Sequence, residues 1–161
     1  LVSAHNFISS RIGSTMSLTP LQRPFSVCAE GRNGIFVPLA SSSVEAGFPS
    51  PADDYLERPL DFNELLIENP AATFAVRISG ESMTGAGLYP GDIAIINRAR
   101  KPTNGCIILA LVDGDFTIKR YQSRGGHIRL AAENPKFSDI QITEAAAFEV
   151  WGVVTHSIRM L

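Results

Sequence analysis

Cys106-Ile107-Ile108-Leu109-Ala110-Leu111-Val112-Asp113-Gly114-Asp115-Phe116-Thr117-Ile118-Lys119-Arg120-Tyr121 reads as two strands joined at a two-residue turn. The first half is an apolar run of strand length. Asp113-Gly114 is a dipeptide suited to the positive backbone angles of a tight hairpin. In the second half Phe116 and Ile118 face one way, while Thr117, Lys119 and Tyr121 face the other. Outward from this hairpin, Asn104-Gly105 is another hairpin signal ahead of the apolar run. Gly125-Gly126 is a third, before the strand pattern His127 to Ala131. Pro90-Gly91 marks a turn before the strand Asp92 to Ile96, and Phe148 to Ile158 reads as a last long strand. Upstream, Phe74, Val76 and Ile78 alternate with Ala75, Arg77 and Ser79, the pattern of a half-buried strand. Closely spaced strands with Gly-rich turns predict a mostly β, compact antiparallel fold.

The texture before Thr73 is different. Residues 1–46 hold Pro20, Pro24, Pro38 and the run Ser41-Ser42-Ser43, with no sustained helical stripe. Residues 47–60 continue with Pro49, Pro51 and Pro59 and the acids Asp53, Asp54 and Glu57. Such a segment lacks the apolar periodicity to bury itself and reads as a flexible arm. Asp61 then caps a short helix, with Glu64 expected to complete a capping box and Phe62, Leu65 and Leu66 to supply an apolar face. Pro70 limits that helix. The expected organisation is an N-terminal arm over residues 1–46, a linker arm with one short helix over 47–72, and a folded domain over 73–161. The first 15 residues hold Arg11, several serines and no acid, a weak likeness to a transit peptide. Met16 offers a later start, and residues 1–15 are read as an extension upstream of it.

Bulk properties bound the function. The chain has 161 residues and is 45% hydrophobic, enough for one core. A formal net charge of −2 argues against a protein built to wrap nucleic acid. Arg11, Arg23 and Arg32 against Glu30 make residues 1–40 mildly basic and leave the rest acidic. Cys28 and Cys106 form no CxxC and no metal-ligand spacing, and read as free thiols in a reducing, cytoplasmic setting. No apolar run approaches the roughly 20 residues that span a bilayer. No metal or cofactor is expected.

The candidate chemistry lies at Ser79-Gly80-Glu81-Ser82-Met83, directly after a strand pattern. A tight turn there can present Ser82 with backbone N–H groups free to hold a developing oxyanion. A serine hydroxyl is a poor nucleophile without a base. His5 falls in the arm, His127 and His156 fall in strand patterns without an obvious orienting acid, and there is no GxSxG elbow. Lys119 can act as base if burial keeps it neutral, because desolvation lowers a lysine pKa. From the residues alone, Lys119 reads as a solvated strand lysine and Ser82 as an ordinary turn serine.

Three motifs in order, Ser79-Gly80-Glu81-Ser82-Met83, Leu88-Tyr89-Pro90-Gly91-Asp92 and Asp113 through Arg120, resemble the LexA/UmuD family of self-cleaving SOS-response proteins. The likeness covers about residues 44–161. It implies a serine–lysine dyad, with Ser82 as nucleophile and Lys119 as general base, 37 positions apart. It also implies a cleavage site at Ala46-Gly47, where a small side chain suits a shallow pocket and glycine allows close backbone approach. The short segment before that site lacks the amphipathic helices of a DNA reader, so the chain is closest to the UmuD branch. That branch implies a homodimer, stimulation by a RecA–single-stranded-DNA filament, and a UmuC-type translesion polymerase as partner. Two other readings stand beside it. One is a LexA-like repressor without its DNA-binding domain; the other is a signal-peptidase-like enzyme, disfavoured by the lack of an anchor.

Overall fold

A computed structural model of the chain describes residues 36–39 and 58–161. Ala46-Gly47, His5, Cys28 and the rest of residues 1–35 and 40–57 lie outside the described residues. Strand β1 (Phe36–Val37) pairs antiparallel with β2 (Leu60–Asp61), and helix α1 (Phe62–Leu66) follows at once. The remaining strands are β3 (Thr73–Arg77), β4 (Ile93–Asn97), β5 (Ile107–Val112), β6 (Asp115–Arg124), β7 (His127–Ala131), β8 (Ile140–Ile142) and β9 (Phe148–Ile158). They form one seven-stranded sheet in the order β3-β4-β9-β5-β6-β7-β8. Every pairing within it is antiparallel, so the fold is the mostly β, antiparallel one expected.

The Asp113-Gly114 turn is the hairpin its sequence promises. Asp113 has φ 49° and Gly114 φ 95°, the two positive angles of a type I′ connection. Asn104-Gly105 differs. It closes no hairpin, because β4 pairs with β3 and β9 while β5 pairs with β6 and β9. Gly105 instead donates its N–H to Tyr121 O at 2.7 Å, tying the start of β5 to β6. A turn signal specifies local backbone angles, and here the long last strand β9 inserts between the neighbours the turn would otherwise have joined.

Helix α1 also departs in detail. Asp61 caps it through Asn63 N–H at 2.8 Å. The Glu64 carboxylate takes Arg58 Nη2 at 3.0 Å, an exposed pair, where a capping box would have turned it back to Asp61. Phe62 and Leu65 are about half exposed, so the expected apolar face of this single-turn helix is not buried in the core.

The core lies on both faces of the sheet. On one, Ile78, Met83, Leu88 and Ala94 pack below the turn after β3, continuous with Phe74, Ile96 and Leu109. On the other, Ile108, Ala110, Leu130 and Val153 form a second cluster. Strand β9 crosses between them with two register shifts, one opposite Leu109/Ala110 and one opposite Ile95/Ile96. The first leaves Trp151 as the extra residue. A bulge re-aims a side chain, and this one turns Trp151 onto the face holding Phe74 and Leu109. Beside it, Gly152 runs so close to β4 that a Cβ would sit 2.6 Å from Ile96 Cγ2.

Candidate active site

The turn after β3 is held at both ends. Ile78 N–H donates to Asp92 O at 2.8 Å and Gly91 N–H returns to Ile78 O at 2.9 Å. Gly80 takes φ 88°, which swings the chain out of the strand direction. Met83 and Leu88 then plunge into the core at 3% and 5% exposure, with a 3₁₀ turn over Thr84–Ala86 between them. With apolar anchors at Ile78 and Met83, Ser82 is left at the sheet surface, half-buried and facing a cleft. The Ser82 and Met83 N–H groups make no hydrogen bond among the described residues.

Lys119 reaches the same point from the middle of β6. It is 7% exposed, and its Nζ hydrogen-bonds to Ser82 Oγ at 2.5 Å. Its other close polar neighbour is Ile118 O at 3.4 Å. No carboxylate pairs with it among the described residues. Burial pushes the lysine below its ordinary value near 10.5, opposed by the more distant Asp139 carboxylate. An ammonium is costly to bury without a counter-ion, and none pairs with it among the described residues, so burial shifts the lysine towards its neutral form.

The cleft has a volume of about 370 Å³ and runs from Ser79, Gly80 and Ser82 to an apolar end made by Phe74, Leu109 and Trp151. Phe116 meets the Trp151 ring edge-on, centroids 4.8 Å apart at 87°, and the Arg98 guanidinium lies 4.8 Å from that ring. Ser82 lines the same cleft as this aromatic wall. His127 is exposed, and His156 lines a separate cavity of about 270 Å³ with Glu68, Asn97 and Arg100. Neither histidine borders the serine's cleft. Among the described residues there is no cluster of metal-ligating side chains, and no helix long and apolar enough to cross a membrane.

The structure therefore brings Ser82 and Lys119 together, while Ala46 and Gly47 lie outside the described residues. Sequence reasoning missed the Trp151–Phe116 wall and the loop after β7 that supports the Ser82 turn. The lone tryptophan at a broken alternation, Val150-Trp151-Gly152-Val153, was the available signal for the first. No local signal marks the second.

The chain matches the model of the family described as Peptidase S24-like over residues 38–155. It is similar to Protein ImpA of Escherichia coli, 44% identical over 123 residues, spanning 76% of this chain and 83% of that one. Protein SamA of Salmonella typhimurium is 44% identical over 122 residues, 76% and 84% of the two chains. Protein MucA of Escherichia coli is 34% identical over 123 residues, again 76% and 84%.

Proposed function

The chain belongs to the Peptidase S24-like family, among the UmuD relatives ImpA, SamA and MucA, and on that premise we propose that it is a serine endopeptidase that cuts its own backbone once, between Ala46 and Gly47. The observation that carries this reading is the 2.5 Å contact between a buried Lys119, unpaired with any carboxylate among the described residues, and Ser82 Oγ. Neutral Lys119 takes the hydroxyl proton as Ser82 attacks the Ala46 carbonyl carbon. The oxyanion that forms is held by backbone N–H groups of the Ser82 turn. Collapse breaks the Ala46–Gly47 bond, the lysine returns its proton to the Gly47 amine, and Ala46 is left as an ester on Ser82. Water, deprotonated by the same lysine, releases it.

The product is a body of residues 47–161, free of an arm of residues 1–46, with residues 47–72 as linker and 73–161 as the peptidase domain. It works as a homodimer with a UmuC-type translesion polymerase in SOS mutagenesis, in the bacterial cytoplasm. A RecA–single-stranded-DNA filament accelerates the cut by favouring the conformer with Ala46-Gly47 at Ser82, a population shift rather than a supply of catalytic groups. Support for these partners is the resemblance to the UmuD branch.

The test is intact-mass analysis of the purified chain at alkaline pH. The expected result is one stable product beginning at Gly47, absent in Ser82→Ala and in Lys119→Ala, both with unchanged circular dichroism. Because the two residues act as a unit, each single change should cost about as much as the pair, on the order of 10⁴-fold or more. A stable product with another N-terminus, or cutting retained in either variant, contradicts the proposal.

A further inference from the structure

The base and the nucleophile come from elements that are not neighbours in the sheet's hydrogen bonding. Lys119 stands in β6, and Ser82 stands on the turn after edge strand β3. A contact of 2.5 Å between them requires a tie elsewhere. The described residues contain one, made by the loop that follows β7. Glu133 N–H donates to Ser82 O at 2.8 Å, and Gly85 N–H donates to Glu133 O at 2.6 Å. Asn134 Nδ2 adds a bond to Glu81 O at 2.9 Å. The loop therefore grips the serine's turn on both sides of Ser82. A Cβ on Gly85 would overlap the Glu133 carbonyl, so the grip depends on glycine there.

The side chain of Glu133 faces the other way, onto β6. Its carboxylate pairs with Arg120 Nε, and Arg120 Nη1 reaches Gly105 O at 2.6 Å. Arg120 is the residue next to Lys119. Both members of the pair are 30% exposed, shielded enough to keep a fixed geometry that a fully solvated pair would lose. Backbone to the serine's turn, carboxylate to the lysine's strand: Glu133 joins the two halves of the dyad.

We infer that the Arg120–Glu133 ion pair is the positioning device that sets the Ser82–Lys119 distance. This rests on the self-cleavage reading above and adds to it two residues that act through the dyad without touching the reacting atoms. Glu133 and Arg120 are positioning residues, and Gly85 is the close contact that lets them act.

The experiment uses the full chain with Glu133→Ala, Glu133→Gln and Gly85→Ala. Two quantities are read: the plateau rate of self-cleavage at alkaline pH, and hydrogen exchange of residues 80–88 in a Ser82→Ala background, which keeps the chain uncut. In Glu133→Ala the plateau should fall by about tenfold to a hundredfold, the loss expected from a displacement near 1 Å. The half-maximal pH should stay in place, since the burial of Lys119 is untouched. Residues 80–88 should exchange faster while β4 and β9 keep their protection. Glu133→Gln, which still accepts from Arg120, should recover most of the rate, and Gly85→Ala should reproduce the Glu133→Ala result from the other side of the contact. A Glu133→Ala plateau within about twofold of the unaltered chain overturns the inference. So does a glutamine variant as slow as the alanine one, or protection lost across the whole sheet, which marks a merely structural role. If the unaltered chain does not cut itself, the self-cleavage reading falls and exchange alone decides: unchanged exchange at residues 80–88 then removes the clamp as well.

Discussion

Lys119 is 7% exposed with no acidic partner among the described residues, and this has a consequence for stability. Burial lowers its pKa below 10.5 in the fold. Between the folded value and 10.5, the unfolded chain binds more protons than the folded one, so stability rises with pH across that window. Below it, the penalty is fully present. Lys119→Met keeps the apolar stem and removes the penalty, so its Tm at pH 7 should exceed that of the Ser82→Ala protein. The gap should close as pH approaches 10.5. Thermal unfolding of both proteins at the two pH values checks this, and an equal or lower Tm at pH 7 refutes it. A stability cost at Lys119 fits its proposed role as a base whose protonation burial disfavours.

At the scale of elements, the end of β9 is latched to the turn that closes the Ser82 segment. Arg159 donates from Nε to Asp92 at 2.8 Å and from Nη2 at 2.5 Å, reaches Gly87 O at 2.9 Å, and stacks on Tyr89 with 4.0 Å to the ring centroid. The Arg159 hydrogen bonds, with the Tyr89 amide, hold the Asp92 carboxyl down from 3.8 to about 2. A depressed carboxylate stabilises the fold above its unfolded pKa, and that contribution is lost as pH falls from about 4 through about 2. Arg159→Met should therefore flatten the pH dependence of the urea midpoint between pH 5 and 2; an unchanged slope would contradict the latch. Gly152→Ala forces a Cβ against Ile96 and should cost about 1–3 kcal/mol by the same kind of unfolding measurement. The strands themselves were legible from alternation and turn residues: His127–Ala131 and Phe148–Ile158 match their patterns residue for residue. The short β8 was not, because Ile140-Gln141-Ile142 is too brief to establish a period. Nor was the central place of β9, since pairing order depends on packing across the sheet. Trp151 escaped notice as a cleft residue because a bulge breaks the alternation that strand reading relies on.

For the whole molecule, the sheet brings two distant positions, Ser82 and Lys119, into one contact and sets it at the end of an apolar cleft. The pairing of these two residues was legible in sequence only through the three ordered motifs, since a serine in a turn and a lysine in a strand are individually unremarkable. Burial of the lysine is a tertiary fact, produced by β6 passing beneath the turn after β3, and no local pattern encodes it. The scaffold around the pair, Arg120, Glu133 and Gly85, is assembled from three separate segments and has no sequence signature of its own. The central claim, that neutral Lys119 is the base for Ser82, is tested most directly by the first-order rate of unassisted self-cleavage measured against pH. The account predicts a single rising limb that levels off below pH 10.5 and is absent in Lys119→Ala. A limb that turns over near pH 6.5, the value of a histidine base, or cutting that persists in Lys119→Ala, would contradict it.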